Sequence, residues 1–145
     1  MDNLNFRRDY YLKIKKDKYL QRNYQFRREQ NDRLLVLNQH LNCYELLNIS
    51  AALVYLMCNG KNSLEMICLT IKENFKNASE SIIINDMIKL VNILKNQMLC
   101  ENVMSSSGVG LDHTIMVKAQ NALQTFFRSA RQQDYVTPNI LVIDC

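Results

Sequence analysis

From residue 24 short apolar-rich runs are separated by polar breaks in a strand-like pattern: YQFRR, the turn-forming EQND, RLLVLN, the polar QHLN, then CYELL. Successive side chains of a strand point to opposite faces, so three short strands joined by two tight connections are predicted, a small antiparallel meander. Along the third strand alternation puts Cys43, Glu45 and Leu47 on one side and Tyr44 and Leu46 on the other, and leaves open which side is buried.

After the meander the period lengthens to that of a helix. Ile49, Ala52, Leu53, Leu56 and Met57 line one face of a first helix. Asn48 is placed to cap its first turn, and Asn59-Gly60 ends it, because glycine accepts the left-handed backbone at a helix terminus. Ser63 caps a second helix whose stripe is Leu64, Ile67, Cys68, Ile71 and Phe75. Beyond the polar KNASES a third helix is predicted from Ile83 to Gln97. On its wheel Met87, Val91, Leu94 and Met98 cluster, with Ile84 and Ile88 on one flank and Leu90 on the other. That arc spans roughly 160°, against ~100° for a helix packed on one side. Burial by the sheet and the first two helices is the simpler use of the surplus; a groove open to a partner is the sharper one.

The two ends of the chain read differently. Residues 1–18 are polar, basic and aromatic without a clean period, a loosely structured lead-in or a short helix. Residues 103–145 look like an addition. They hold a flexible joint, SSSGVG, and a helix within MVKAQNALQTFFRSARQQ that offers Val117, Leu123, Phe126, Phe127 and Ala130 for burial. A strand-like YVTPNILVIDC follows, broken by the single proline of the chain. The expected organisation is a basic lead-in over 1–23, a domain over 24–102, and a linker, helix and extended tail over 103–145.

Composition narrows the class. With 145 residues, 48% of them apolar, the chain has material for one domain and an appendage. Its longest apolar run, Ala51 to Cys58, is far short of the ~20 residues of a membrane-spanning helix, and its charged start lacks a signal-peptide core, which reads as soluble and cytoplasmic. The net charge of +4 is uneven: residues 1–33 carry ten bases against five acids, and the rest eight against nine. A solvated face is the plain reading of such a basic patch; nucleic acid or an acidic peptide or protein is the alternative.

Little in the sequence suggests catalysis. Cys43, Cys58, Cys68, Cys100 and Cys145 form no C-x-x-C pair, and His40 and His113 stand at no ligand spacing from them, so buried thiols are expected, with neither a disulfide framework nor a metal. No phosphate-binding glycine loop, H-E-x-x-H or G-x-S-x-G occurs, and Asp86 has no second carboxylate at a useful spacing. A non-catalytic, cofactor-free binding protein is the expectation.

Three strands followed by three helices, with N-x-S-A-A-x-x-x-x-L-x-x-G at the junction, is the arrangement of a small winged-helix domain. The residues resemble the PqqD-like family, the RiPP recognition elements, over Tyr24 to about Asn102. The resemblance is carried by Leu47-Asn48, Ser50-Ala51-Ala52, Leu56, Asn59-Gly60 in place of the usual Asp-Gly, Ser63-Leu64 with Ile67, Asp86-Met87, Leu90, Leu94 and Met98-Leu99. It implies an α+β winged-helix protein that binds the leader of a ribosomally made precursor peptide. The leader would join the third strand as an antiparallel neighbour, its apolar side chains lying against the third helix, and be delivered to a modifying enzyme such as a radical SAM maturase, a cyclodehydratase or a leader peptidase. The contact residues so implied are Cys43, Tyr44, Glu45 and Leu46 on the strand and Ile84, Met87, Ile88 and Val91 on the helix.

Two alternatives stand beside this. A winged helix also binds nucleic acid, but the third helix offers only Lys89 and Lys95 among isoleucines and the second only Lys72 between Glu65 and Glu73, poor material for base or phosphate contacts. A subunit that chiefly docks on a maturase, through the basic first third and the tail helix, is the other. Finally, Tyr135-x-x-Pro138-x-Ile140 is similar to the Tyr-x-x-Pro-x-Leu pattern of lasso-precursor leaders. That implies a tail lying in the groove of its own chain or of a neighbour in a swapped homodimer; a disordered or plainly packed tail is the bland reading.

Overall fold

The computed structural model describes residues 19–22, 26–30, 32–102 and 113–143. The lead-in 1–18 and the SSSGVG joint lie outside the described residues. Among the described residues the fold is α+β: four helices are packed with two small antiparallel sheets.

The predicted meander is present as β2 (Phe26–Gln30), β3 (Arg33–Asn38) and β4 (Cys43–Leu47), paired in register from Phe26 opposite Leu37 through Asn38 opposite Cys43. Leu34, Val36 and Asn38 of β3 and Cys43, Glu45 and Leu47 of β4 face inward, which settles the side that alternation left open. The tight 39–42 connection is shaped by Asn38, whose Oδ1 accepts from the backbone N–H of His40 and of Leu41 at 3.1 and 3.3 Å, while Asn42 takes a left-handed φ of 56°.

Both predicted helix caps form. Asn48 opens α1 (Ile49–Met57) by accepting from Ala51 N at 3.1 Å, and Ser63 opens α2 (Leu64–Asn74) by accepting from Met66 N at 3.1 Å. The stripe Leu64, Ile67, Cys68, Ile71 and Phe75 is buried as its spacing requires. α3 (Glu80–Asn96) starts three residues before the predicted Ile83, inside KNASES. It ends in paired bonds, Met98 N to Lys95 O at 3.1 Å and Leu99 N to Leu94 O at 2.9 Å, with Met98 in the left-handed region at φ 59°. That is a Schellman close made on a methionine in place of glycine, and it leaves Met98 exposed where the wheel put it in the apolar arc.

Two parts of the chain join the fold beyond expectation. Residues 19–22, assigned to the lead-in, form β1 (Tyr19–Arg22), which lies between β5 (Asn59–Ser63) and β6 (Cys100–Asn102) in a second sheet. The Asn59-Gly60 hinge is therefore the start of a strand. Gly60 takes φ 80°, and Asn59 Oδ1 accepts from Lys61 N and Asn62 N at 2.9 and 3.1 Å, folding the polar stretch back on α1. The extension is no appendage either. Ala122, Phe126 and Ala130 of α4 (His113–Ala130) belong to the same buried cluster as α1, α2, α3 and the inner sheet face. Every residue of α1 is consequently buried, where the sequence reading gave it one apolar face.

Candidate functional site

The outer edge of β4 is the element the sequence reading marks for peptide pairing, and the chain's own tail occupies it. β7 (Ile140–Ile143) runs antiparallel to β4, with Leu47 opposite Ile140, Leu46 opposite Leu141, Glu45 opposite Val142 and Tyr44 opposite Ile143, so the inner sheet has the order β2-β3-β4-β7. The pairing continues past the strand end, where Asn48 N donates to Asn139 O at 3.1 Å.

The residues leading into β7 are held by a row of polar contacts. Asn48 Oδ1, already capping α1, accepts from Asn139 N at 3.0 Å, and Asn48 Nδ2 donates to Thr137 O at 2.9 Å. Ser50 Oγ donates to Val136 O at 2.6 Å. Further back, Tyr135 N donates to Lys76 O at 2.9 Å and Lys76 N to Gln133 O at 3.0 Å, a short parallel bridge onto the end of α2. From Val136 to Asn139 every one of these contacts is made to tail backbone, so they hold an extended segment without reading its side chains.

Two tail side chains are read. Tyr135 packs edge-on against Phe75, centroids 5.6 Å apart and planes at 85°, and its hydroxyl donates to Asp86 Oδ2 at 2.8 Å. Burial, reinforced by the hydrogen bond and the charge of Asp86, pushes the Tyr135 phenol well above its ordinary range. Five residues on, half-buried Ile140 rests on the core.

The structure disperses the eight predicted contact residues. The backbone of Tyr44, Glu45 and Leu46 does meet an extended segment. Tyr44 and half-buried Leu46 point to the outer sheet face, and Cys43 and Glu45 point inward. On α3, Ile84, Met87 and Val91 are buried in the common core and Ile88 is half-buried against it. α2 and β6 pack on α3, and the common core takes up most of its wide apolar arc. The buried-thiol reading holds for Cys58, Cys68 and Cys100 and fails at Cys43, which is disulfide-bonded.

Beneath the β4 edge lies a polar pair that no motif or spacing predicts. Asn38 Nδ2 donates to Glu45 Oε2 at 2.8 Å and to Gln97 O at 2.6 Å, linking the sheet to the end of α3. Glu45 is fully buried, and its Oε1 has no hydrogen-bond partner among the described residues. Burial raises its pKa, and the bond from Asn38 opposes the rise.

Asn48, Ser50, Asp86, Phe75 and Tyr135 therefore make the site. The first three stand among the residues that carry the family resemblance, but as a cap, a junction residue and a lone carboxylate; the signal missed was that Asn48 and Ser50 present polar groups beside a free strand edge. Among the described residues no cluster of potential metal ligands occurs, and no helix is long and apolar enough to cross a membrane. No protein-family model, curated protein or solved structure matches the chain.

Proposed function

We propose that this chain is a non-catalytic peptide-recognition protein of the winged-helix, PqqD-like kind, which takes the leader of a ribosomally made precursor as an added strand on β4 and presents it to a modifying enzyme. One observation carries the reading: β4 accepts an extended segment as an antiparallel neighbour, and Asn48 and Ser50 grip the residues preceding it by their backbone. Main-chain contacts of this kind supply affinity for any extended chain, and the two places where side chains count supply choice. Here those places favour an aromatic hydroxyl and, five residues later, an aliphatic side chain, the spacing of Tyr135 and Ile140.

The contact residues differ from those first expected. Of the expected backbone of Cys43 to Leu46, Tyr44 to Leu46 remain and Leu47 joins them, while Asn48, Ser50, Phe75 and Asp86 take the place of the core residues Ile84, Met87 and Val91. The test is fluorescence anisotropy with labelled leaders carrying the Tyr-x-x-Pro-x-aliphatic pattern, on Tyr135→Ala with Ile140→Asp, whose tail no longer uses these contacts, and on the same chain with Asp86→Ala added. Binding that weakens when Asp86→Ala is added, and weakens equally when leader Tyr becomes Phe, supports the reading. A leader that binds both folded chains equally tightly removes it.

A further inference from the structure

The tail on the β4 edge is unevenly secured. Residues 133–139 are tied by the hydrogen bonds of Lys76, Ser50 and Asn48, yet in β7 only Ile140 packs on the core, and Leu141, Val142 and Ile143 remain 53%, 43% and 36% exposed. A strand whose apolar side chains stay in water is held chiefly by its main-chain ladder, and any extended peptide can make that ladder. Exposed apolar side chains on an outermost strand are also an aggregation hazard, which a fixed structural strand would have no reason to keep.

We propose that residues 135–143 are a built-in competitor: with Cys43 reduced, they close the β4 edge in the resting chain and yield it to an extended peptide. The proposal rests on the peptide-recognition reading above. Every contact the tail makes beyond Tyr135 and Ile140 is to its backbone, and Pro138 stands where no donor is used, so a foreign segment with the same two side chains replaces the tail contact for contact. The tail has one advantage over such a segment, its tether. Attachment gives an effective concentration on the order of millimolar, so a free peptide with no additional contacts competes poorly at micromolar concentration. The ligand that opens the site is then one that reaches beyond the tail's footprint or is itself brought close by a partner.

The test uses a labelled peptide with the sequence of residues 133–143, reduced conditions throughout, and three full-length chains: the parent, Tyr135→Ala with Ile140→Asp, and Leu141→Pro. The last alters an exposed side chain and removes one strand N–H, leaving the core intact. Both variants should bind the peptide about 100-fold more tightly than the parent. In the parent, saturating peptide should release the amides of Leu141 and Ile143, which face β4, to hydrogen exchange while those of Tyr44 to Leu47 stay protected. Equal affinity for all three chains, or amides of Leu141 and Ile143 that stay protected under saturating peptide, overturns the competitor and leaves peptide recognition standing. Peptide that binds none of the three overturns both.

Discussion

Asn48 and Asn139 hold each other by two hydrogen bonds: Asn48 N donates to Asn139 O at 3.1 Å, and Asn139 N donates to Asn48 Oδ1 at 3.0 Å. The same Oδ1 accepts from Ala51 N, so one side-chain atom both starts α1 and ends the tail ladder. Helix nucleation and tail docking are thereby coupled through a single residue.

Replacing Asn48 by Ala removes the cap, the acceptor for Asn139 and the donor to Thr137 together. A loss of about 2 kcal/mol in denaturant unfolding is expected, about half of it the cap. Asn48→Asp keeps the cap and the acceptor and gives up only the bond to Thr137, so it should fall between parent and Ala. Equal losses for the two variants would show that the side-chain oxygen does not carry the coupling.

Tyr135→Phe keeps the ring on Phe75 and deletes the hydroxyl that serves Asp86. The expected cost is about 1 kcal/mol, with faster exchange of the amides around 135. The raised phenol also makes a pH statement. Unfolded chain ionises near the ordinary tyrosine value of 10.0 and folded chain does so later, so the stabilisation is complete below 10 and drains away as pH climbs above it. Parent stability should drop more steeply than that of Tyr135→Phe above pH 10.

Glu45 has the same sign at the other end of the scale. Its folded pKa lies above the ordinary 4.5, so the folded state prefers the protonated carboxyl, and the contribution is full below pH 4.5 and lost as pH rises through the folded value. Glu45→Gln retains an acceptor for Asn38 and buries no charge. At pH 7 it should be about 1 kcal/mol more stable than the parent, and the gain should vanish toward pH 4. A pH-independent difference would place the cause in packing.

What could be read from the sequence was local. RLLVLN and CYELL are short apolar-rich runs set between turn signals and became β3 and β4; Asn48 and Ser63 carry cap chemistry next to helical stripes and cap α1 and α2. What could not be read depends on distant pairing. YLQR and NGKNS have neither alternation nor β-branched residues, and they are strands because each finds the other. ISAALVYLM is apolar all round, a pattern that says buried without naming the cover, and that cover is α4, more than fifty residues away. The wide arc of α3 left burial and an open groove as alternatives for the same reason. The tail's destination rested on six residues, too few to distinguish from chance until their partners Asp86, Asn48 and Ser50 lay beside them.

The last expectation concerns that arc. Met87 and Val91 are almost wholly buried, so Met87→Glu or Val91→Glu puts a charge into the core and should unfold the chain. Met98 is the informative neighbour. Its left-handed φ of 59° costs a residue with a Cβ about 1 kcal/mol, and its side chain is half exposed. Met98→Gly relieves that cost and should raise the unfolding free energy by up to about 1 kcal/mol, less the larger backbone entropy of glycine and the contacts of the methionine side chain. A Met98→Gly chain less stable than the parent would mean that the methionine side chain is held by contacts stronger than its exposure implies.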